Sequence, residues 1–282
     1  MQHLALLESI DYLIIGHLTC DLTPQGIRLG GTAAFSALTA KALGLRVGIV
    51  TAWGNEIPLA PLKDIAVVSF PTEHSTTFEN QYTPAGRVQF IHHVAPKLDF
   101  HVVPDVWRQA PIVHLGPVAQ EVESGMARRF PNSFLGLTPQ GWLREWHSDG
   151  RIYPGEWPEA AFMLQQAGAA VISVEDVDGD EERIEEMATY CRALAVTEAS
   201  HGARLYWNGD VRRFRPPAVP EVDATGAGDI FAAAFFSRLY TTRDPWEAAR
   251  FATQLSAYSV TRSGLESVPT SQEIKECLSE VI

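Results

Sequence analysis

The sequence predicts an α/β fold in which a mostly parallel sheet is covered by helices on both faces. Three observations carry that prediction. Short β-branched runs recur along the chain, amphipathic helical segments lie between them, and one polar, strand-like region interrupts the alternation.

The runs at 11–17 (DYLIIGH), 46–52, 65–70, 111–116, 134–138, 169–174 and 193–198 are short and apolar, and they read as buried strands. Between them, 32–44 (TAAFSALTAKALG), 122–130 (VESGMARRF) and 156–168 (EWPEAAFMLQQAG) space their apolar residues as helices do. From Asp244 the chain reads as a helix to about Arg262, followed by another from about Ser271. The exception is 75–94 (STTFENQYTPAGRVQFIHHV). It is polar and strand-like around a Pro-Ala-Gly turn, which suits an antiparallel hairpin outside the main core and a lid over a site. No internal repeat or low-complexity linker divides the chain, so one domain spanning 1–282 is expected, with 75–94 as its lid.

Composition narrows the function. With 282 residues and 46% hydrophobic content the chain can bury a sizeable core, and no apolar run reaches the roughly 20 residues a membrane span needs. Its start lacks a basic stretch and a cleavage pattern, and Cys20, Cys191 and Cys277 form no CxxC pair, so reduced thiols and a cytoplasmic location are expected. A net charge of −12 argues against a nucleic-acid surface, while a single nucleotide needs only local donors and a divalent cation. Adjacent His92 and His93 would point to opposite faces of a strand, and no HExxH, GxSxG or GxxxxGK[ST] motif is present. Metalloprotease, serine hydrolase and ordinary P-loop chemistry are therefore disfavoured.

The stretch VDATGAGDIFAAAFFSRL (222–239) sets small residues and an acid before a long apolar helical run. Such a helix start leaves unpaired N–H groups and partial positive charge, a place for phosphate or a developing anion. A second small-residue element, LGGTAAF (29–35), also opens a helix.

These motifs resemble a known family. DATGAGDIFAAAF is similar to the C-terminal signature of the ribokinase-like PfkB carbohydrate kinases, usually Asp-Thr-x-Gly-Ala-Gly-Asp, and LGGTAAFSALTAKALG resembles their Gly-Gly element. GHLTCD and VTEASHGARLYWNG follow the family's order, so the resemblance covers nearly the whole chain. RLGGTAAFSAL, STTFENQYTPAGR, GPVAQEV and TPQGWLR look most similar to the archaeal myo-inositol kinases. The resemblance implies a three-layer α/β/α sandwich with a small β lid, and an ATP- and Mg²⁺-dependent kinase acting on a sugar or polyol hydroxyl. It leaves two alternatives, a nucleoside kinase and a catalytically weak sugar- or nucleotide-binding sensor.

By the same resemblance, Asp229 is the base that takes the acceptor's proton, and Gly226, Ala227 and Gly228 present N–H groups to the transferred phosphoryl. Asp21, Gly30, Gly31 and Thr32 would meet the acceptor, with Glu79, Asn80, Tyr82 and Gln140 as further polar contacts. Thr197, Ser200, Gly202, Gly226 and Gly228 would meet the nucleotide, and a monovalent cation has a place near Asp223. Two departures stand out. The family's Asn-x-x-Glu reads Glu175-Asp176-Val177-Asp178, which makes Asp178 and Glu175 the candidate magnesium ligands, and its Thr-x-Gly-x-x-Gly is reduced to Thr197, Ala199 and Gly202. The projecting hairpin also offers an edge for a homodimer.

Overall fold

The computed structural model describes residues 7–83 and 86–279. Its strands are β1 (Tyr12–Ile15), β2 (Thr19–Thr23), β3 (Gly26–Gly30), β4 (Val47–Trp53), β5 (Ala66–Pro71), β6 (Thr76–Thr83), β7 (Gly86–His93) and β8 (Ile112–Leu115). They continue as β9 (Phe134–Leu137), β10 (Arg144–Trp146), β11 (Ile152–Pro154), β12 (Ala169–Ser173), β13 (Ala193–Thr197), β14 (Ala203–Trp207) and β15 (Asp210–Phe214). The α-helices are α1 (Thr32–Ala42), α2 (Ala160–Gln166), α3 (Glu181–Tyr190), α4 (Ala227–Thr242), α5 (Pro245–Ser259) and α6 (Ser271–Ser279).

Nine strands form the central sheet in the order β15-β14-β13-β12-β9-β8-β1-β4-β5, all running the same way except β14, which is antiparallel to both its neighbours. All seven runs expected as strands lie in it. Each buried strand divides its side chains between two cores because successive residues face opposite ways. Tyr12 and Ile14 of β1 join the core covered by α1, α4 and α5, whereas Leu13 and Ile15 join the core under α2 and α3. Helix α4 lies wholly within its layer: Ile230 to Ser237 are all buried, so an apolar surface on every side of it is no liability.

Two expected helices fall short. The 122–130 stretch forms 3₁₀ turns over Ser124–Arg129, and 156–168 becomes helical only at Ala160, after Pro158 and the buried Trp157. The β14–β15 hairpin was not anticipated as strands. Its two-residue turn, Asn208-Gly209, takes positive φ at both positions (51° and 82°), as a tight hairpin with the right twist requires.

The lid is larger than the expected hairpin. β6 and β7 pair antiparallel as predicted, but β2 and β3 join them in a four-stranded sheet of order β3-β2-β6-β7. The turn residues Pro84 and Ala85, and the side chain of Tyr82, lie outside the described residues. A short β10–β11 hairpin stands beside the lid, joined to it by the Ile91 N–H donating to the Gly150 carbonyl at 2.8 Å. The sequence order reverses around β1, whose neighbours are β4 and β8, and ligands in such sheets gather at the carboxyl ends of strands near that reversal.

Tight packing between sheet and α4 holds this edge in place. A Cβ at Gly136 of β9 would stand 2.5 Å from the ring of fully buried Phe236. Gly136→Ala should therefore cost about 1–3 kcal/mol by overpacking, measured as a fall in thermal midpoint; an unchanged midpoint would show that Phe236 can move aside.

Candidate functional site

At the start of α4 the chain turns through Gly226 at φ 81°, a conformation L side chains avoid, and a Cβ there would lie 2.3 Å from the Phe35 ring of α1. Only glycine meets both demands. The turn leaves helix donors open. No acceptor among the described residues takes the N–H of Gly226, Gly228 or Asp229, and space beside Gly228 is empty. Ala227 departs from expectation, because its N–H already donates to the Ala224 carbonyl at 3.2 Å. Helix α1 begins alongside, at Gly31 with φ 87°, and a Cβ on Gly31 would stand 2.7 Å from the His17 carbonyl. The two helix starts are tied: the Ser36 hydroxyl donates to the Asp229 carbonyl at 3.2 Å, and the Thr32 hydroxyl favours the ionised form of the Asp229 carboxylate.

Asp229 opens onto a cleft of about 1260 Å³ that runs from the lid to the far strands of the sheet. At the lid end Asp21 of β2 lines it, with Oδ1 accepting from the Thr19 hydroxyl at 2.8 Å. Gly30 does not itself line the cleft. Its missing side chain makes room for Asp21, since a Cβ would fall 2.1 Å from Oδ2. Asn80 faces the cleft and its Oδ1 accepts from Gln89 Nε2 at 3.0 Å. Glu79 does not belong to the site, because alternation along β6 sends its side chain to the opposite face of the lid. There its carboxylate meets His92 Nε2 at 2.8 Å and accepts from Gln81 at 2.9 Å.

At the other end, the loops after β12 and β13 form the wall. Glu175 and Asp178 line the cleft but are exposed. The more embedded acid is Asp176, which sequence reasoning passed over. Its Oδ2 accepts from the Ser173 N–H at 2.8 Å while the Ser173 hydroxyl accepts from the Glu175 N–H at 3.2 Å, a reciprocal cap over one turn. Ser173 and Asp176 have the same three-residue separation as Glu175 and Asp178, so the capped turn, not the run of acids, decides which carboxylate is embedded. Asp176 Oδ1 also accepts from Gln140 Nε2 at 3.2 Å, which ties Gln140 to this capped turn.

Thr197, Ser200 and Gly202 line the same wall. Ala199, standing where glycine was expected, takes φ 49° and so keeps the backbone shape that glycine would have. Gly202 cannot be replaced so easily, since a Cβ would lie 2.0 Å from the Phe214 carbonyl oxygen. Beyond, small and apolar residues of 216–219 face Ser256, Ala257 and Val260 of α5 and the turn after it. This slot was invisible in the sequence because its two sides are some forty residues apart. Asp223 is occupied in holding the loop: Oδ1 accepts from Thr225 N–H, and Oδ2 accepts from the Ser263 hydroxyl and Gly264 N–H.

Charge is unevenly shared. Seven carboxylates and two guanidiniums line the cleft. Burial lifts the carboxyls of Asp229 and Asp21 to about 6 and raises Asp176, while the Thr32 hydroxyl beside Asp229, hydrogen bonds from Thr19 and Ser173, and the charge of Arg144 pull the three back. Arg144 on β10, absent from the sequence-based candidates, is thus the cation common to all three acids. Among the described residues no three His, Cys, Asp or Glu side chains gather as a metal cage. One or two carboxylates can still suit Mg²⁺, which keeps several water ligands.

Comparison with known proteins agrees with this architecture. Residues 155–272 match the family model described as pfkB family carbohydrate kinase. The chain is 27% identical over 247 residues to a cytidine kinase of Thermococcus kodakarensis, covering 81% of this chain and 88% of that one. It is 35% identical over 91 residues to an inositol 3-kinase of Oryza sativa subsp. japonica, covering 32% of this chain and 23% of that one. A solved pyrophosphate-dependent kinase in the ribokinase family, complexed with a pyrophosphate analog and myo-inositol, superimposes with a TM-score of 0.79 at 19% identity over 94% of this chain and 99% of its own.

Left-handed backbone costs a non-glycine residue about 1–2 kcal/mol, part of which glycine returns through its freer unfolded chain. Ala199→Gly should therefore stabilise the protein by up to about 1 kcal/mol. A thermal midpoint that stays level or falls would show that the loop holds Ala199 without strain.

Proposed function

We propose that this chain, which belongs to the ribokinase-like PfkB family of carbohydrate kinases and is a phosphotransferase, moves the γ-phosphoryl group of ATP to a hydroxyl of a neutral sugar or polyol. The observation that carries the reading is Asp229 beside open N–H donors, at the point where the lid end of the cleft meets the donor end. There the acceptor O–H can give its proton to the Asp229 carboxylate as its oxygen forms the bond to phosphorus and the bond to the leaving phosphate oxygen breaks. The N–H groups of Gly226, Gly228 and Asp229 would face the charge on the transferred group, helped by the positive end of α4.

The remaining roles follow from position. Asp21, Asn80 and Gln140 would hold the acceptor, with Gly31 and Thr32 allowing it close to the backbone. Thr197, Ser200, Gly202 and the slot between 216–219 and α5 would take the nucleotide. Seven cleft carboxylates against two guanidiniums repel a polyphosphate, so binding calls for a divalent cation. Asp176, Glu175 and Asp178 would be the oxygen ligands on that side, and Mg²⁺ held there would neutralise phosphate charge and orient the leaving group. The lid sheet covers the acceptor end and would exclude water during transfer.

A nucleoside acceptor is the second reading, favoured by the similarity to the cytidine kinase along most of both chains. A screen of myo-inositol, ribose, fructose and cytidine, each with ATP or pyrophosphate and Mg²⁺, separates the readings. Turnover of a sugar or polyol with ATP is expected; turnover of cytidine alone would replace the polyol reading, and binding without turnover would favour a sensor.

The base must be ionised to work, and burial has raised Asp229 to about 6. Turnover should therefore be full above about pH 7 and fall as the pH drops through 6, with an apparent value shared among Asp229, Asp21 and Asp176. Asp229→Asn should lower kcat by roughly 10²–10⁴-fold. Because the raised value means that the ionised carboxylate opposes folding, the variant should keep or raise the thermal midpoint. Near-normal kcat in Asp229→Asn would remove this residue from the mechanism.

A further inference from the structure

Arg144 closes the TPQGWLR stretch, in which the sequence marked only Gln140 as a candidate contact. The 3₁₀ turn at Pro139–Gly141 follows β9 and is anchored by the Gly141 N–H donating to the Pro117 carbonyl at 2.9 Å. Leu143 is buried next to it, and its carbonyl accepts from the Gly155 N–H at 2.8 Å, so β10 starts from a fixed point. The Arg144 side chain is held as well as placed: Nη1 donates to the Val118 carbonyl at 3.2 Å, and the guanidinium lies 5.5 Å from the centre of the Phe78 ring in the lid. From there it shares the cleft with Asp21 of β2, Asp176 after β12 and Asp229 of α4. The other cleft arginine, Arg151, is exposed.

We propose that Arg144 is a specificity-determining residue for the acceptor, donating through its guanidinium to the oxygens of adjacent hydroxyls whose hydrogens are taken by Asp21, and so selecting a neutral compound with vicinal hydroxyls. The inference rests on the kinase reading above and adds to it the acceptor's chemistry. A vicinal diol offers two oxygens close together, which suits the planar donor fork of arginine better than the single point of a lysine. Asp21 supplies the acceptor atoms that a guanidinium lacks. The acceptor carries no negative charge, because one guanidinium facing three carboxylates leaves none of its positive charge to spare. Phe78 beneath the guanidinium offers an apolar surface for the carbon face of a ring.

The same placement makes Arg144 a positioning residue for Asp229. Its charge lowers the proton affinity of Asp229 against burial and against the charges of Asp176 and Asp21, while Asp176 also feels Glu175. This effect gives a readout that a merely structural wall would not move.

The test compares wild type, Arg144→Lys and Arg144→Gln, using whichever of myo-inositol, ribose and cytidine wild type phosphorylates best, together with a deoxy analogue lacking one of the adjacent hydroxyls. Arg144→Lys keeps the charge but loses the fork, so KM for the diol should rise about 10-fold or more, with little change for the deoxy analogue and an unmoved acid limb of the pH profile. Arg144→Gln should raise KM similarly and shift the acid limb to higher pH. Equal effects on diol and deoxy analogue with an unmoved limb in both variants would overturn the proposal, as would efficient phosphorylation of the acceptor's phosphate ester by wild type. Circular dichroism and the thermal midpoint establish that each variant is folded, and Arg144→Lys carries the test if Arg144→Gln is not. If wild type phosphorylates nothing, the kinase reading has failed. The Arg144 proposal is then judged by calorimetry of myo-inositol binding, where an unweakened Arg144→Lys would refute it.

Discussion

The close approach of α1 and α4 is the constraint on which the rest of the site depends. Both helices begin at a glycine with positive φ, and at Gly226 the ring of Phe35 occupies the space a side chain would need. Because the helices meet at their starts, their positive ends and open donors converge instead of cancelling. The Ser36 hydroxyl of α1 then donates to the Asp229 carbonyl across the junction at 3.2 Å. A side chain at either glycine would separate the helix starts and move Asp229 away from the open N–H groups beside it.

The second organising feature is electrostatic. The charged side chains of the cleft are mainly acids, which disfavours an anion, and two features offset that charge in part: the open N–H groups at the start of α4 and the guanidiniums of Arg144 and Arg151. Burial lifts the carboxyls of Asp21 and Asp229 to about 6, close to the range in which a carboxylate can accept and release a proton near neutrality. One cleft thus holds buried carboxylates of raised proton affinity beside open N–H donors.

The lid is built into this arrangement more firmly than a free hairpin would be. His17, buried in the turn after β1, meets the Thr76 hydroxyl at 2.6 Å and the Pro96 carbonyl at 2.9 Å, so it touches the chain both where it enters and where it leaves the β6–β7 hairpin. Glu121 accepts N–H bonds from His17, Val118 and Ala119, which ties the loop carrying the Arg144 anchor to the same junction. Fully satisfied buried networks of this kind resist partial rearrangement.

The sequence by itself determined the layers and the helix starts, because periodicity and small residues are local signals. β-branched runs declared all seven strands, and GAGD before an apolar run declared a bare helix start. It overextended two helices where Pro158 and Gly125 favour turns, and it placed Glu79 in the site because composition does not say which way a strand faces. Tertiary structure alone decided what depends on residues distant in the chain. It recruited β2 and β3 into the lid, chose Asp176 over Glu175 and Asp178 as the embedded acid, and brought Arg144 to three carboxylates from three different elements. The reason is that burial and charge coupling fall off over a few ångströms in space, whereas a one-dimensional pattern records only separation along the chain.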